Sequence, residues 1–242
     1  MATVDELKQQ ADQLRKEKRF AEALPLYREL WEKHRDACNE WDGWKYAQCL
    51  AKEKKYTQAL DVNREVYRMS PDFQVNNNAY GWAIYHTEIS VDKVRDENRY
   101  LRAAEAILKL CKQDDPYSPY VRTVLAVAKY FQNPFNAHAM VQWLTKVDGK
   151  KLRDEVFSFT DPNGSLREQA SDRERYYAGL SKALLELENY QACIDVSEEA
   201  LAEIGKMHYD NDIWFQWRIA LSKYHLGDTS EAISMMKAEG RT

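Results

Sequence analysis

Apolar and polar positions along this chain alternate with a helical period, and on a longer scale they repeat as a phrase. KEKRFAEALPLYREL (16–30) and KEKKYTQALDVNREV (52–66) align without a gap at a spacing of 36. Each begins with a basic turn, then an aromatic residue (Phe20, Tyr56) and a small residue three positions on (Ala23, Ala59). The phrase returns at 98–110 with Tyr100 and Ala103, at 187–201 with Tyr190 and Cys193, and at 226–236 with Ala232. Ahead of each copy lies a second amphipathic segment with its own small residue: Ala11, Ala47, Ala83, Ser181 and Ala220. Two helices per unit, joined by a tight turn and crossing at small residues, form an antiparallel helical hairpin. The spacing sets Ala47 and Ala59 at one crossing, with Tyr or Phe wedged between adjacent hairpins. Asp72 after Pro71, and Asn211 and Asp212 before Trp214, supply helix-start chemistry between units.

The pattern predicts an all-α fold of about six hairpins, with two interruptions. Unit three carries extra residues, EISVDKVRDE at 88–97, between its helices. The polar stretch 148–175, containing the turn signal DPNG, reads as an irregular linker or insertion. Its Phe157 and Phe159 are the residues that could pin it to the array. Residues 1–147 therefore hold units one to four, the fourth degenerate around Pro134, and 176–242 hold units five and six. The last unit stops partway through its second helix at Thr242.

Composition agrees with helix throughout: the chain has 242 residues with only 8 Gly and 6 Pro, and 44% are hydrophobic. Its 35 basic and 39 acidic residues give a formal charge of -4 without a long single-sign run. Bulk charge thus points to neither nucleic acid nor a membrane surface. The opening MATVDELKQQ is too polar for a signal peptide, and stretches such as VLAVA (124–128) are far too short to span a bilayer. Cys38, Cys49, Cys111 and Cys193 are scattered and form no CxxC pair, so they read as reduced, mostly buried thiols and the expected compartment is the cytoplasm.

The hairpin phrase resembles the tetratricopeptide repeat (TPR) across almost the whole chain. That resemblance implies a right-handed superhelix whose concave face is lined by the first helix of each hairpin. NNNAYGWAIYH, SPYVRTVLAVAKY and HYDNDIWFQWRIALSK are similar, more narrowly, to the TPR region of bacterial proteins from defence or conflict loci. In those proteins an S1/cold-shock-like module commonly follows the repeats. TPR domains that clamp a terminal carboxylate use Lys and Asn at set concave positions. Here those positions hold Lys8, Asp12, Lys45, Asn77 and Gly81, of which one matches, so a chaperone-tail adaptor is not expected.

No catalytic, phosphate-binding or zinc-protease motif occurs. His34 and Cys38 have ligand spacing, but two ligands do not close a tetrahedral site. The sequence therefore predicts no enzyme, no cofactor and no metal. What remains is aromatic. Trp41 and Trp44 lie six and three residues before Ala47, and Trp214 and Trp217 stand at the same offsets before Ala220. The TPR resemblance places these offsets on the concave face. A partner-binding site is accordingly expected at Trp41, Trp44, Gln48, Lys52, Asn77, Tyr80, Trp214, Trp217 and Arg218, taking a peptide, helix or loop of another protein. Three other readings compete with it: aromatics that merely fill the inner wall, a nucleic-acid-associated subunit of a defence system, and self-association through the last hairpin.

Overall fold

A computed structural model describes residues 3–91, 96–209 and 211–238. The chain forms two compact units, Met1–Thr123 and Val124–Thr242.

The first unit contains α1 (Val4–Lys16), α2 (Phe20–Lys33), α3 (Glu40–Lys52), α4 (Tyr56–Met69), α5 (Gln74–Ile84) and α6 (Glu97–Leu110). Its first and third helices start on reciprocal caps. Thr3 accepts from the Glu6 amide while Glu6 reaches back to Thr3, and Asn39 and Asp42 do the same for α3. α1 pairs with α2 and α3 with α4 as hairpins, and α5 then packs on α4. Ala11, Ala23, Ala47 and Ala59 are all buried at these crossings. α5 continues into one π-helical turn, Tyr85–Ile89, where the Thr87 hydroxyl bonds back to the carbonyls of Ala83 and Ile84.

The glycine between Trp41 and Trp44 now has a reason. A Cβ on Gly43 would overlap the Trp31 indole and a Val66 methyl, so only hydrogen there lets α2 close on α3. Trp31 Nε1 in turn donates to Glu65 at 3.0 Å.

α7 (Pro119–Tyr130) spans the division between the units. The second unit then contains α8 (Ala137–Leu144), strands β1 (Phe157–Thr160) and β2 (Leu166–Gln169), α9 (Asp172–Glu186), α10 (Tyr190–Glu203), α11 (Asp212–Leu226) and α12 (Thr229–Ala238). α9 packs with α10, and α11 with α10 and α12. Ser181, Cys193, Ala220 and Ala232 are the buried small residues of these crossings.

Several expectations need correction. In α6 the buried small residue is Ala104, not Ala103, because the helix starts earlier, on its Asp96 cap, and its register is shifted by one. Asp72 does not cap α5, whose N-cap is Phe73. Asn211 holds the N-cap position of α11 but donates its carboxamide to buried Glu174 instead of capping. Within the 88–97 insertion, residues 92–95 lie outside the described residues.

The 148–175 stretch is more regular than its polarity suggests. DPNG makes the turn of an antiparallel hairpin in which Phe157 pairs with Gln169 and Thr160 with Leu166. Its ends are held: Arg153 Nε donates to Asp172 at 2.8 Å, and the Arg173 guanidinium to the carbonyls of Lys150, Leu152 and Glu203. Phe157 and Phe159 do not pin it, since their rings are 57% and 40% exposed.

A groove between two inner helices

In the first unit α3 and α5 run beside each other above α4, leaving a groove of about 620 Å³. From α3 it takes Trp44, Gln48 and Lys52, and from α5 Val75, Asn78, Ala79 and Trp82. Tyr56 and Asn63 of α4 form its floor, and His86 of the π-turn closes one end. Both tryptophans are half-buried, so each shows one flank to the opening.

The aromatic end is ordered by stacking. The His86 ring lies 4.3 Å from that of Tyr56 and 5.7 Å from that of Trp82, near-parallel to both. Burial pushes the His86 pKa below its usual value, favouring the uncharged ring. On the α3 side, Gln48 Oε1 accepts from Arg15 at 3.0 Å, and the Arg15 guanidinium lies 5.9 Å from the Trp44 ring. Among the described residues no carboxylate lines this groove, while Lys52 and Lys54 do. Asn63 Oδ1 is buried on the floor without a hydrogen-bond donor among the described residues. The arrangement can take an apolar side chain between two indoles and hydrogen-bond a partner's polar groups. It offers no activated nucleophile.

Of the residues expected at a partner site, the structure brings together Trp44, Gln48 and Lys52. Trp41 stays beside the groove, 45% exposed, in edge contact with Trp44 at 5.7 Å and Phe73 at 4.7 Å. Tyr80 turns to α4, with its ring 5.9 Å from Tyr67. Asn77 is a correction: it is buried, and its carboxamide donates to the Pro71 carbonyl at 2.8 Å. Arg218 is another. It points inward to Ser181 Oγ at 3.2 Å, and burial lowers its pKa. Trp214 and Trp217 lie in the second unit, 54% and 39% exposed, edge to face at 6.5 Å.

Val75, Asn78, Trp82 and His86 were missed, although they form a stripe at helical spacing that the sequence displays. Asn77 and Tyr80 stand six and three residues before Ala83, as Trp41 and Trp44 stand before Ala47, but α5 meets α3 with a different flank. The clamp positions are internally engaged: Lys8 pairs with Asp42 at 2.7 Å and Lys45 with Asp12 at 2.6 Å.

Among the described residues no helix is long and apolar enough to cross a membrane, and no three His, Cys, Asp or Glu side chains gather as a metal site. No family model matches the chain, and neither does any curated protein sequence. Among solved structures it is similar to the MamA RS-1 ArsTM double mutant, at 10% identity over 82% of this chain and 93% of that one, TM-score 0.46. The C-terminal part of a TPR repeat-containing protein from Cytophaga hutchinsonii gives 15% identity over 96% and 80%, TM-score 0.45. The TPR2AB domain of yeast Sti1 in complex with pHSP90 gives 13% over 97% and 88%, TM-score 0.35. Likeness at that level carries no argument about ligand or activity. The all-α hairpin architecture rests on the helices described above.

Proposed function

We propose that this chain is a non-catalytic interaction scaffold whose site is the α3–α5 groove. Its ligand is a peptide or helix of a partner protein carrying an apolar anchor beside an acidic group. The observation that carries this reading is the lining itself: two half-buried indoles face one opening that, among the described residues, has lysines and no carboxylate. Hot-spot anchors of this kind contribute about 2 kcal/mol or more each. A bacterial defence setting and a cytoplasmic location belong to the same proposal; the first rests on the sequence resemblance and the second on the scattered cysteines.

The test is partner capture from the native host by Trp44→Ala and Trp82→Ala, with melting measured on the same preparations. Both should keep their fold, losing about 1–2 kcal/mol because the rings are half-buried, and should bind about thirtyfold more weakly. Unchanged capture by both variants would sink the proposal. Aromatics with lysines also suit single-stranded nucleic acid. Capture that falls steeply between low and moderate salt, and survives protein-free oligonucleotide as the probe, would favour that second reading.

A further inference from the structure

The second unit holds a hollow of its own, of about 120 Å³, between α7, α8 and α9 with the end of β2 on its rim. Met140 and Leu144 of α8, both buried, form its floor with Leu125 of α7. α9 contributes Gly179, where a Cβ would stand 3.2 Å from Met140 Cε and 3.3 Å from Leu144 Cδ1, so glycine leaves room above them. The polar side is cationic. Lys129 and Arg175 line it with the carboxamides of Gln132 and Gln169, and among the described residues no carboxylate does. Arg175 Nη2 is held by Asp172 and its Nε is buried, which leaves Nη1 for a ligand. Buried Asp172 also takes Arg153 Nε at 2.8 Å, so one carboxylate serves two guanidiniums. Lys129 adds a further positive charge at the rim. Cations set over an apolar floor suit an oxyanion carried on a short aliphatic stem.

We propose that this hollow receives the carboxylate of a glutamate side chain from a partner protein. Size decides the stem. A cavity of about 150 Å³ holds benzene, with about six heavy atoms, so one of 120 Å³ holds about five. That is the whole glutamate side chain, two methylenes and the carboxylate. The methylenes lie on Met140 and Leu144, the carboxylate meets Arg175 and Lys129, and the carboxamide N–H groups of Gln132 and Gln169 can donate to it. A phosphate ion has no stem to cover the apolar floor. Lys129 and Gln132 are exposed, so a side chain can enter at the rim while its backbone stays outside. With no carboxylate in the lining, the incoming anion meets no like charge.

The inference is independent of the α3–α5 groove. Amide proton–nitrogen correlation spectra of the full chain test it with three probes: the blocked tripeptide Gly-Glu-Gly, its Gly-Gln-Gly analogue, and propionate. Gly-Glu-Gly should shift the amides of Gly179 and Gln169 and titrate with a Kd of about 1 mM. Gly-Gln-Gly, of the same shape without the charge, should bind about tenfold more weakly. Arg175→Met should weaken the glutamate peptide about tenfold, and Arg175→Lys should recover part of the loss. Lys129→Met, at an exposed position, should weaken it about threefold and carries the test if Arg175→Met unfolds. Gly179→Ala keeps every charge but crowds the floor, and should weaken binding by about the same factor. Lys206→Met, an exposed lysine outside the hollow, should bind like the parent chain. Unmoved amides at Gly179 and Gln169 would overturn the inference. So would equal binding of the two peptides, or binding that survives both Arg175→Met and Lys129→Met. Propionate binding more tightly than Gly-Glu-Gly would give the hollow to a free acid and overturn its assignment to a partner.

Discussion

The α3–α4 and α11–α12 hairpins share one pattern, yet α5 roofs the first and nothing among the described residues roofs the second. The difference runs against simple hydrophobicity. The covered face carries Gln48 and Asn63, whereas the open one carries Leu221 and Met236 at the same places. On the covered face the polar groups are engaged or buried, with Gln48 accepting from Arg15 and Asn63 lying under α5. On the α11–α12 face Trp214 and Trp217 stay 54% and 39% exposed among the described residues.

The two hairpins part most sharply at Gly43, whose counterpart on α11 is Gln216. Helix propensity alone says that Gly43→Ala should stabilise α3 by about 1 kcal/mol. Packing says the reverse, because the added methyl overlaps Trp31 and Val66, neither of which has room to retreat in a closed core. The expected outcome is a net loss of about 1–3 kcal/mol in denaturant unfolding. A gain would mean that Trp31 does not close on α3 and that the comparison is drawn on a false core.

Next in size is the acid sensitivity of the first unit, where polar bridges tie α1 to α3. Burial alone would raise the Asp12 carboxyl, but hydrogen bonds from Lys45 and Tyr27 outweigh it and hold the pKa below 3.8. A carboxyl depressed in the folded state contributes stability above its unfolded pKa and loses it as pH falls through the folded value. Asp12→Asn should therefore cost about 0.5–1 kcal/mol near neutral pH, and the gap to the parent chain should shrink as pH drops below 4. A gap that stays constant down to pH 2 would exclude the Asp12–Lys45 pair as its source.

Much of this fold is legible from small residues alone. Ala11, Ala23, Ala47, Ala59, Ala83, Ser181, Cys193, Ala220 and Ala232 are all buried, because two backbones can approach only where side chains are short. The Ala103 register failed where Asp96 begins α6 earlier than in the other copies. The β-hairpin was half legible: DPNG announced its turn, but FSFT and LREQ are each four residues, both faces are open, and no buried alternation marks them as strands. Half of the groove was readable for a geometric reason. Trp44 could be placed from its own helix, while Trp82 depends on which flank α5 turns toward α3, and that is a tertiary fact.

The smallest expected effect isolates the turns that the hairpins have in common. Lys18 and Glu188 join their helices in the left-handed region, at φ 62° and 56°, and Gly227 does the same for α11 and α12 at φ 98°. The closing bonds match: Lys18 N–H to the Arg15 carbonyl and Arg19 N–H to Leu14, against Gly227 N–H to Tyr224 and Asp228 N–H to Lys223, all between 2.9 and 3.1 Å. A side chain in this conformation costs about 1–2 kcal/mol that glycine does not incur. Glycine gives back about 0.4–1 kcal/mol through the freer unfolded chain. Lys18→Gly should thus stabilise by about 0.5–1 kcal/mol, and Gly227→Lys should destabilise by a similar amount. Urea midpoints should shift in opposite directions with unchanged slopes. If both substitutions destabilise, the lysine turn is held by contacts of its own, and the two hairpins differ in their turns as well as in their roofs.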